Sequence, residues 1–385
     1  MKKLNKYISF SIPKIGKEEI KEVVDSLKSG WITTGPKALR FEEIIKSYVG
    51  SKYALSLNSC TAGLHTSLIT CGIQHGDEVI TSPLTFAATA NTIIHVGAKP
   101  IFVDIKRETM NIDEDLIEGA ITKRTKAIIP VHMAGRPCEM DKIMRIAKKH
   151  KLYVIEDAAQ AIGAEYKGKK IGSIGDLTCF SFYATKNITT SEGGIVTTNN
   201  PDWAEKIRIY RLHGMSKDAW KRYSSAGYQH YDIIYPGFKY NMTDLQAAIG
   251  IHQMAKIHKF EKTREKIWNT YDEALANLPI TLPPYWPDYI KHARHLYTLL
   301  IEKKWAGVDR DEFIKEMHGL GIGTSVHFIP LHLHSYYKKR FGYKKGDFPN
   351  AEFIGERTVS IPLSPALTES EVERIIKTIK KIIRN

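Results

Sequence analysis

The sequence lacks the features that mark membrane and secreted proteins. No apolar run in the 385 residues approaches the length needed to cross a bilayer. The opening stretch MKKLNKYISFSIPKIG has no continuous apolar segment of the kind found in signal peptides. Cysteine is scarce, and the four cysteines show neither metal-ligand spacing nor a dense disulfide pattern. We therefore expect a cytoplasmic protein with reduced thiols, and no membrane partner.

Acidic residues are fewer than basic ones, which gives a formal net charge of +14 at pH 7. Such an excess is found in many nucleic-acid-binding proteins. Here, however, the lysines are scattered through every segment, and no basic stripe interleaved with aromatic residues occurs. Because the lysines are scattered, we expect no nucleic-acid partner. A basic surface is equally suited to a small anionic substrate such as a nucleotide diphosphate.

The chain is long enough for one large domain and a smaller one. Strand and helix patterns alternate up to the apolar run that ends at Ile155, which predicts a largely parallel sheet covered on both faces. We predict a large α/β domain over residues 1–250 and a small α+β domain over residues 251–385. A long helix from Thr243 to about Asn277 connects them, and a proline-rich linker follows at Pro283 to Pro287.

The stretch from Lys151 to Gly194 presents a carboxylate and an amine from neighbouring strands. One apolar run ends in Glu156 and Asp157, and the next is followed by Lys186. A pyridoxal phosphate enzyme needs this pair, a lysine to form the Schiff base and an acid to keep the pyridine nitrogen protonated. Singly, Asp157 also fits a helix cap and Lys186 a solvated strand end; together they favour the cofactor site.

Small and hydroxyl side chains mark another strand-to-helix junction, at Asn58 to Ala62. Free amides and the helix dipole make such a junction suitable for an anion. A simple helix cap explains the same residues. From the residues alone both explanations remain open.

EDAAQA, followed by FSFYATKNITTSEGG, resembles the core of the DegT/StrS-type sugar aminotransferases, and the resemblance runs from Thr33 to about Pro362. It implies an α/β fold like that of aspartate aminotransferase (pyridoxal phosphate fold type I). The expected architecture is a large, mostly parallel seven-stranded sheet domain with a small C-terminal α+β domain.

The resemblance also assigns roles in binding pyridoxal 5′-phosphate. Lys186 would form the Schiff base and Asp157 would hold the pyridine nitrogen. The other expected cofactor contacts are Cys60 and Thr61 at the phosphate, Phe86 stacked on the ring, Gln160 at the phenolic oxygen and Ser181 at the phosphate.

A turn containing glycine, lysine and asparagine occupies the position at which family members place a turn against the cofactor phosphate of the partner subunit. Lys239 and Asn241 replace the commoner asparagine and arginine, as in the aminoarabinose-pathway branch. A surface turn with a solvated lysine is the alternative. If Lys239 reaches a neighbour's phosphate, the functional unit is a homodimer with composite sites.

The resemblance places Thr33 and Thr34 at the border of the substrate site and His332 at the substrate diphosphate. The cluster of His327, His332 and His334 suggests a metal, but no carboxylate accompanies it, so we expect no metal site.

The resulting hypothesis is transamination of a nucleotide-linked keto sugar, with glutamate as donor and pyridoxamine phosphate as the intermediate cofactor form. A UDP-linked 4-keto sugar aminated at C4 is favoured by the Lys239 and Asn241 variant. A C3 aminotransferase and a non-catalytic regulatory protein remain alternatives. So does a sugar dehydratase of the same fold, although those relatives carry histidine in place of Lys186.

Overall fold

In the computed structural model of this protein, residues 7–216 and 230–383 are described. The helices of these residues are α1 (Lys17–Ser29), α2 (Pro36–Val49), α3 (Cys60–Thr70), α4 (Ala87–His95), α5 (Met140–His150), α6 (Pro201–Tyr210), α7 (Asp244–Ala255), α8 (Ile257–Leu275), α9 (Lys303–Ala306), α10 (Arg310–Gly319), α11 (Ser335–Phe341), α12 (Pro349–Arg357) and α13 (Glu369–Ile383). The strands are β1 (Tyr53–Leu57), β2 (Glu78–Thr81), β3 (Lys99–Phe102), β4 (Thr125–Ile129), β5 (Tyr153–Asp157), β6 (Glu165–Tyr166), β7 (Lys169–Lys170), β8 (Leu177–Ser181), β9 (Gly194–Thr198), β10 (Ile290–Lys291), β11 (Tyr297–Leu300) and β12 (Thr358–Ile361).

Seven strands form one sheet in the order β1-β9-β8-β5-β4-β2-β3. Only β9 runs antiparallel to its neighbours, which confirms the predicted, mostly parallel sheet. Its register pairs Gly194 with both Leu57 and Ser181. The start of β9 therefore lies at the sheet edge where β1 and β8 end.

Both faces of this sheet are buried, as expected for parallel strands connected by helices. Val154 of β5 packs into one hydrophobic cluster with Phe41 of α2. The next residue, Ile155, packs into another cluster with Leu64 of α3 on the opposite face. This alternation follows from the two-residue repeat of a strand and explains why β5 is apolar until Glu156.

A further hydrophobic cluster surrounds the two-stranded β11–β12 sheet, with α8, α10 and α13 packed on it. The predicted connecting helix begins as expected, since the Thr243 side chain caps α7. It is two helices rather than one, because Lys256 leaves the helical conformation between α7 and α8. Phe260 of α8 joins the large-domain cluster and Tyr271 joins the other. The division at residue 250 stays a prediction, since cluster membership changes within α8.

The amino-terminal segment connects the two parts of the molecule. Ile8 forms a β-bridge with Ile322 beside the β11–β12 sheet. The Ser11 hydroxyl lies 3.4 Å from the Thr185 carbonyl oxygen, next to Lys186 in the loop between β8 and β9. The segment thus crosses from the small sheet to the edge of the large one.

Candidate active site

A cavity of about 550 Å³ lies against the carboxyl ends of β1, β2, β4, β5 and β8. In open α/β sheets this edge is where ligands bind, because the loops that follow the strands converge there. The cavity brings together most of the predicted cofactor residues, namely Cys60, Thr61, Phe86, Asp157, Gln160, Ser181 and Lys186.

Asp157, the last residue of β5, is held firmly at one side of the cavity. Its Oδ2 accepts a hydrogen bond of 2.7 Å from the Thr89 hydroxyl, and its Oδ1 accepts one of 3.2 Å from the Ala159 amide. Burial nevertheless raises the pKa of Asp157, since desolvation disfavours the charged carboxylate. A cation placed beside this carboxylate would therefore gain a buried, oriented counter-ion.

Lys186 lies in a tight turn between β8 and β9, with its amide bonded to the Tyr183 carbonyl at 2.9 Å. Burial lowers the pKa of Lys186, and the nearby Cys60 and Asp157 oppose that shift. No hydrogen bond to the Lys186 amine is found within residues 7–216 and 230–383. The amine is thus more easily deprotonated than an exposed lysine and is not tethered by these residues.

The loop from β1 into α3 has the form of a phosphate site. The Ser59 hydroxyl caps α3 by accepting a hydrogen bond of 3.1 Å from the Ala62 amide. In the described part of the chain no acceptor is found for the amides of Cys60 and Thr61. Gly194 passes so close that a Cβ there would lie 2.4 Å from the Cys60 nitrogen. The loop therefore offers two free amides at a helix N-terminus, which suits a phosphate.

Gln160 and Phe86 complete the predicted ring contacts. The Gln160 Oε1 accepts a hydrogen bond of 2.6 Å from the Ala134 amide, which leaves its NH₂ group as the donor for a ligand oxygen. Phe86 precedes α4 and its side chain is 64% exposed at the cavity. A planar ligand ring bound in the cavity would cover this apolar surface.

His132 also lines the cavity and was missed in the sequence. Its Nδ1 accepts a hydrogen bond of 3.1 Å from the Cys138 amide, so its proton lies on Nε2 and is donated to Glu156 at 2.9 Å. Both ring nitrogens are thus hydrogen-bonded to protein groups, and only the face of the ring is left for contact with a ligand. Its position just beyond the end of β4 is a usable signal, because side chains that follow the strands of a parallel sheet meet at one edge.

The wall facing the sheet comes from Phe10, His295, Ser325, His327 and Phe328. These residues were also missed as site residues. They lie on loops near the small sheet and at the amino terminus, far from the motif in sequence, and no local pattern marks them. Burial, followed by the charge of Lys186, lowers the pKa of His327 to about 4.

The other predicted residues do not line this cavity. The Thr34 hydroxyl donates a hydrogen bond of 2.6 Å to the Met242 carbonyl oxygen and accepts one of 2.5 Å from the side-chain amide of Asn241. The Thr33 carbonyl accepts from the Asp244 amide. Lys239 is exposed nearby. Within one chain these residues form the junction before α7, outside the cavity, and their contacts with a ligand stay predictions.

The structure places His332 outside the cavity. Its ring is fully buried, and its Nε2 lies 2.9 Å from Glu352 Oε1. Burial lowers its pKa, against the opposing effect of Glu352. A contact of this enclosed ring with a substrate diphosphate stays a prediction. The motif VHFIPLHLHSYY supplies the cavity with His327 instead.

No helix within the described residues is long and apolar enough to span a bilayer. No group of three or more potential metal-binding side chains occurs among residues 7–216 and 230–383.

Comparisons with known proteins agree with this geometry. The model of the DegT/DnrJ/EryC1/StrS aminotransferase family matches residues 13–380. The chain is 61% identical over 371 residues to uncharacterized protein MJ1066 of Methanocaldococcus jannaschii, covering 96% of each chain. It is 50% identical over 385 residues to the spore coat polysaccharide biosynthesis protein SpsC of Bacillus subtilis, covering 100% of this chain and 99% of SpsC.

Among solved structures, the putative sugar aminotransferase Spr1654 from Streptococcus pneumoniae is similar over nearly the whole chain. Its PMP form matches with a TM-score of 0.91 and 37% identity, covering 98% of this chain and 99% of that one. A PLP form of the same protein matches with a TM-score of 0.90. Pyridoxal 5′-phosphate is the cofactor of this family, and the cavity residues fit it. The chain therefore belongs to the DegT/DnrJ/EryC1/StrS aminotransferase family of sugar aminotransferases.

Proposed function

We propose that this enzyme transfers an amino group from glutamate to C4 of a UDP-linked 4-keto sugar, as in the aminoarabinose-pathway branch, in a homodimer with composite sites. The observation that supports transamination with pyridoxal phosphate is a single cavity holding Lys186, Asp157 and the free amides of Cys60 and Thr61. The choice of a UDP-linked 4-keto sugar rests on the Lys239 and Asn241 variant. When bound, pyridoxal phosphate supplies an electrophilic carbon that carries the amino group between substrates. The protein supplies binding, orientation and proton transfer.

Lys186 would hold the cofactor covalently and then move a proton at the substrate carbon. A lysine does this only when its amine has lost its proton, and burial lowers the pKa of Lys186 in that direction. The turn to Tyr183 keeps its backbone in place while the unbonded side chain moves. The residue is thus fixed at its backbone and mobile at its reactive end.

Asp157 would hold the ring nitrogen in its protonated form. The hydrogen bonds from Thr89 and Ala159 orient the carboxylate before the ring arrives. A buried ion pair is strong only when both partners are well placed. The positive ring would counter the desolvation that raises the pKa of Asp157 in the cofactor-free protein.

The small number of cationic side chains in the cavity supports a composite site. Among the described residues that line the cavity, Lys186 is the only lysine or arginine. Its amine is committed to the cofactor, whereas phosphates and a glutamate carboxylate all need positive partners. Lys239 is exposed, and its backbone carbonyl accepts a hydrogen bond from the side-chain amide of Asn58, beside the phosphate loop. We propose that Lys239 of one subunit enters the phosphate site of the other.

A panel of UDP- and dTDP-linked 3-keto and 4-keto sugars, incubated with glutamate and analysed by mass spectrometry, tests the substrate. We expect the 4-amino product from the UDP-linked 4-keto sugar and the largest kcat/KM for that compound. A larger kcat/KM for a 3-keto sugar, or for another nucleotide, would contradict the assignment. The Lys186→Ala variant is the control for non-enzymatic amination.

Mixing two inactive variants tests the composite site. Lys186→Ala and Lys239→Ala homodimers each carry two defective sites. After subunit exchange, a hybrid has one site with both changes and one site with neither, so about one quarter of all sites recover activity at equal mixing. No recovery, with exchange verified by native mass spectrometry, would place Lys239 outside the neighbouring site.

A further inference from the structure

His295 stands out in the cavity because it is tied to the residue that follows Lys186. Its Nδ1 lies 2.9 Å from Asn187 Oδ1, and the Asn187 Nδ2 donates to the Ala293 carbonyl at 2.7 Å. Asn187 and His295 are both buried. The loop that carries Lys186 is thus joined directly to the opposite wall of the cavity.

These two hydrogen bonds determine where the His295 proton lies. A carbonyl only accepts, so the Asn187 nitrogen must face Ala293 and the Asn187 oxygen must face the histidine. The Asn187 oxygen likewise only accepts, so Nδ1 of His295 carries the proton. In the neutral ring Nε2 is then an unprotonated acceptor.

The surroundings keep this ring neutral. Burial, and after it the charges of Lys186 and Arg264, hold the pKa of His295 well below its ordinary value; His327 and His292 act in the same direction. The Arg264 guanidinium lies 3.4 Å from the His295 carbonyl oxygen. At neutral pH the imidazole therefore accepts hydrogen bonds and does not take a proton from a lysine.

The backbone fixes the ring against the cofactor side of the cavity. The His295 amide donates to the Ala134 carbonyl at 3.0 Å, while the Ala134 amide donates to Gln160. Gly135 lies between these segments, and a Cβ there would be 2.8 Å from the Gln160 carbonyl oxygen. One residue, Ala134, therefore sets the spacing between Gln160 and His295.

The other histidines of the cavity are less suited to the same task. His132 uses both nitrogens for Cys138 and Glu156. His327 has its Nδ1 2.9 Å from the Ser360 hydroxyl, which can donate or accept, so that contact fixes no tautomer. Among the described histidines of the cavity, His295 is the one whose tautomer is fixed and whose unprotonated nitrogen has no protein hydrogen-bond partner.

We propose that His295 is a positioning residue for Lys186: its unprotonated Nε2 accepts a hydrogen bond from the amine of Lys186 when that amine is free to move the substrate proton. The inference rests on the proposed function, in which Lys186 is the mobile base. The hydrogen bond would hold the amine near the reacting carbon between its covalent attachments.

Two variants separate this role from a structural one. In His295→Asn the amide nitrogen replaces Nδ1 and keeps the bond to Asn187, but the acceptor at the Nε2 position is lost. In His295→Gln an oxygen replaces Nε2, but the bond to Asn187 is lost. If His295 positions Lys186, the Asn variant should lose more activity than the Gln variant. If its role is purely structural, the Gln variant should lose more.

The first measurement uses the protein loaded with pyridoxamine phosphate, in which Lys186 is not covalently attached to the cofactor, and it needs no turnover. The pH dependence of Lys186 acetylation, followed by mass spectrometry, reports the pKa of its amine. We expect His295→Asn to lower this pKa, because the ammonium loses an acceptor, and His295→Gln to restore it. Equal values in wild type and both variants, or a fall in Gln alone, would overturn the proposal.

The second measurement is the primary deuterium isotope effect on kcat with 2-deuterated glutamate. We expect His295→Asn to lower kcat about 10-fold to 100-fold, the value of one charged hydrogen bond, and to raise the isotope effect. His295→Gln should stay within about threefold of wild type, since its oxygen keeps that hydrogen bond. A lower kcat with an unchanged isotope effect would contradict positioning of the proton-transferring amine.

Two further results keep the proposal open to refutation. Should His295→Asn fail to fold, Asn187→Leu removes the acceptor that keeps the proton on Nδ1, and the Lys186 pKa should again fall; an unchanged pKa would refute the proposal. Wild-type protein that binds pyridoxamine phosphate but aminates no keto sugar of the panel would instead refute the proposed function, while the acetylation result would still decide whether His295 bonds Lys186.

Discussion

The two walls of the active-site cavity are built differently. The sheet wall consists of residues at strand ends, including Asp157, Ser181 and the loop around Cys60. The opposite wall consists of Phe10, His295 and other loop residues near the small sheet. Strand ends are fixed by the hydrogen-bonded sheet, whereas the loops depend on contacts between distant segments. We expect the sheet wall to carry the chemistry and the opposite wall to carry recognition and positioning.

The largest expected effect is at the reactive amine of the sheet wall. Lys186→Ala should abolish the visible absorbance of the bound cofactor and lower transamination by about 10⁴-fold or more, because both attachment and proton transfer are lost. Absorbance spectra and steady-state rates measure these effects. Lys148→Ala, at an exposed lysine of α5, is the matched control. Retained absorbance and rate in Lys186→Ala would remove this residue from the mechanism.

Asp157→Asn should have the next largest effect. The amide cannot neutralise a protonated ring nitrogen, so kcat should fall about 100-fold to 1000-fold with a smaller change in KM. Steady-state kinetics with saturating cofactor tests this, and the exposed Asp202→Asn provides the control. A change in KM with an unchanged kcat would show that Asp157 contributes to binding and not to catalysis.

The same variant has a pH-dependent consequence in the cofactor-free protein. Since burial raises the folded-state pKa of Asp157, its contribution to stability is complete below the unfolded pKa and is lost as pH rises through the folded one. Asp157→Asn should lack this loss. Denaturant unfolding across an acidic pH series compares the two, and identical pH profiles would contradict the raised pKa.

Gly194→Ala should damage the phosphate side of the sheet wall. Its Cβ would meet the backbone of Ser59 and Cys60 at 2.4–2.5 Å, which the strand cannot relieve by rotating a side chain. Overpacking of this kind costs about 1–3 kcal/mol, so cofactor affinity should fall about 10-fold to 100-fold. Fluorescence titration of the cofactor-free protein measures the affinity. Gly119→Ala, where a Cβ has open space, should behave like wild type.

A smaller effect is expected on the opposite wall. Phe10 lines the cavity, with its ring centroid 5.5 Å from that of His327. Phe10→Ala should raise the KM for the keto sugar about tenfold and change kcat little, because an apolar contact is lost without altering Lys186 or Asp157. The exposed Ile12→Ala is the control. A fall in kcat with unchanged KM would contradict the proposed division between the walls.

The smallest effect on activity is expected at His332. His332→Leu should lower the free energy of unfolding by about 1–3 kcal/mol, since Glu352 loses a buried partner. The KM for the sugar nucleotide should stay within about twofold of wild type, because the ring lies outside the cavity. A tenfold rise in KM at unchanged stability would restore His332 as a substrate residue.

The sheet wall could be predicted because the end of a buried strand is visible in the sequence, where an apolar run gives way to polar or turn residues. The apolar run before Asp157 and the turn before Lys186 give both the elements and the edge at which they meet. Parallel pairing then places the two side chains in one cavity. At the junction before α3 the residues alone leave a helix cap and an anion site both open, and the structure shows the Ser59 cap together with free amides.

The opposite wall could not be predicted, because long-range contacts decide it. His295 reaches the site through Asn187 and Ala134, neither of which is near it in sequence. His332 and His327 look alike in the sequence, yet burial against Glu352 removes one of them from the cavity. The break at Lys256 that divides the predicted connecting helix is likewise unmarked by proline or glycine.

The amino-terminal segment has a practical consequence for handling the enzyme. Exopeptidase trimming to Pro13 would delete Phe10 and the Ser11 contact to Thr185, while every strand of the seven-stranded sheet would survive. Such a clipped preparation would give normal circular dichroism and still bind vitamin B6, yet process its sugar poorly. Intact-mass analysis therefore belongs beside every activity assay, and affinity tags placed ahead of Ile8 are best removed.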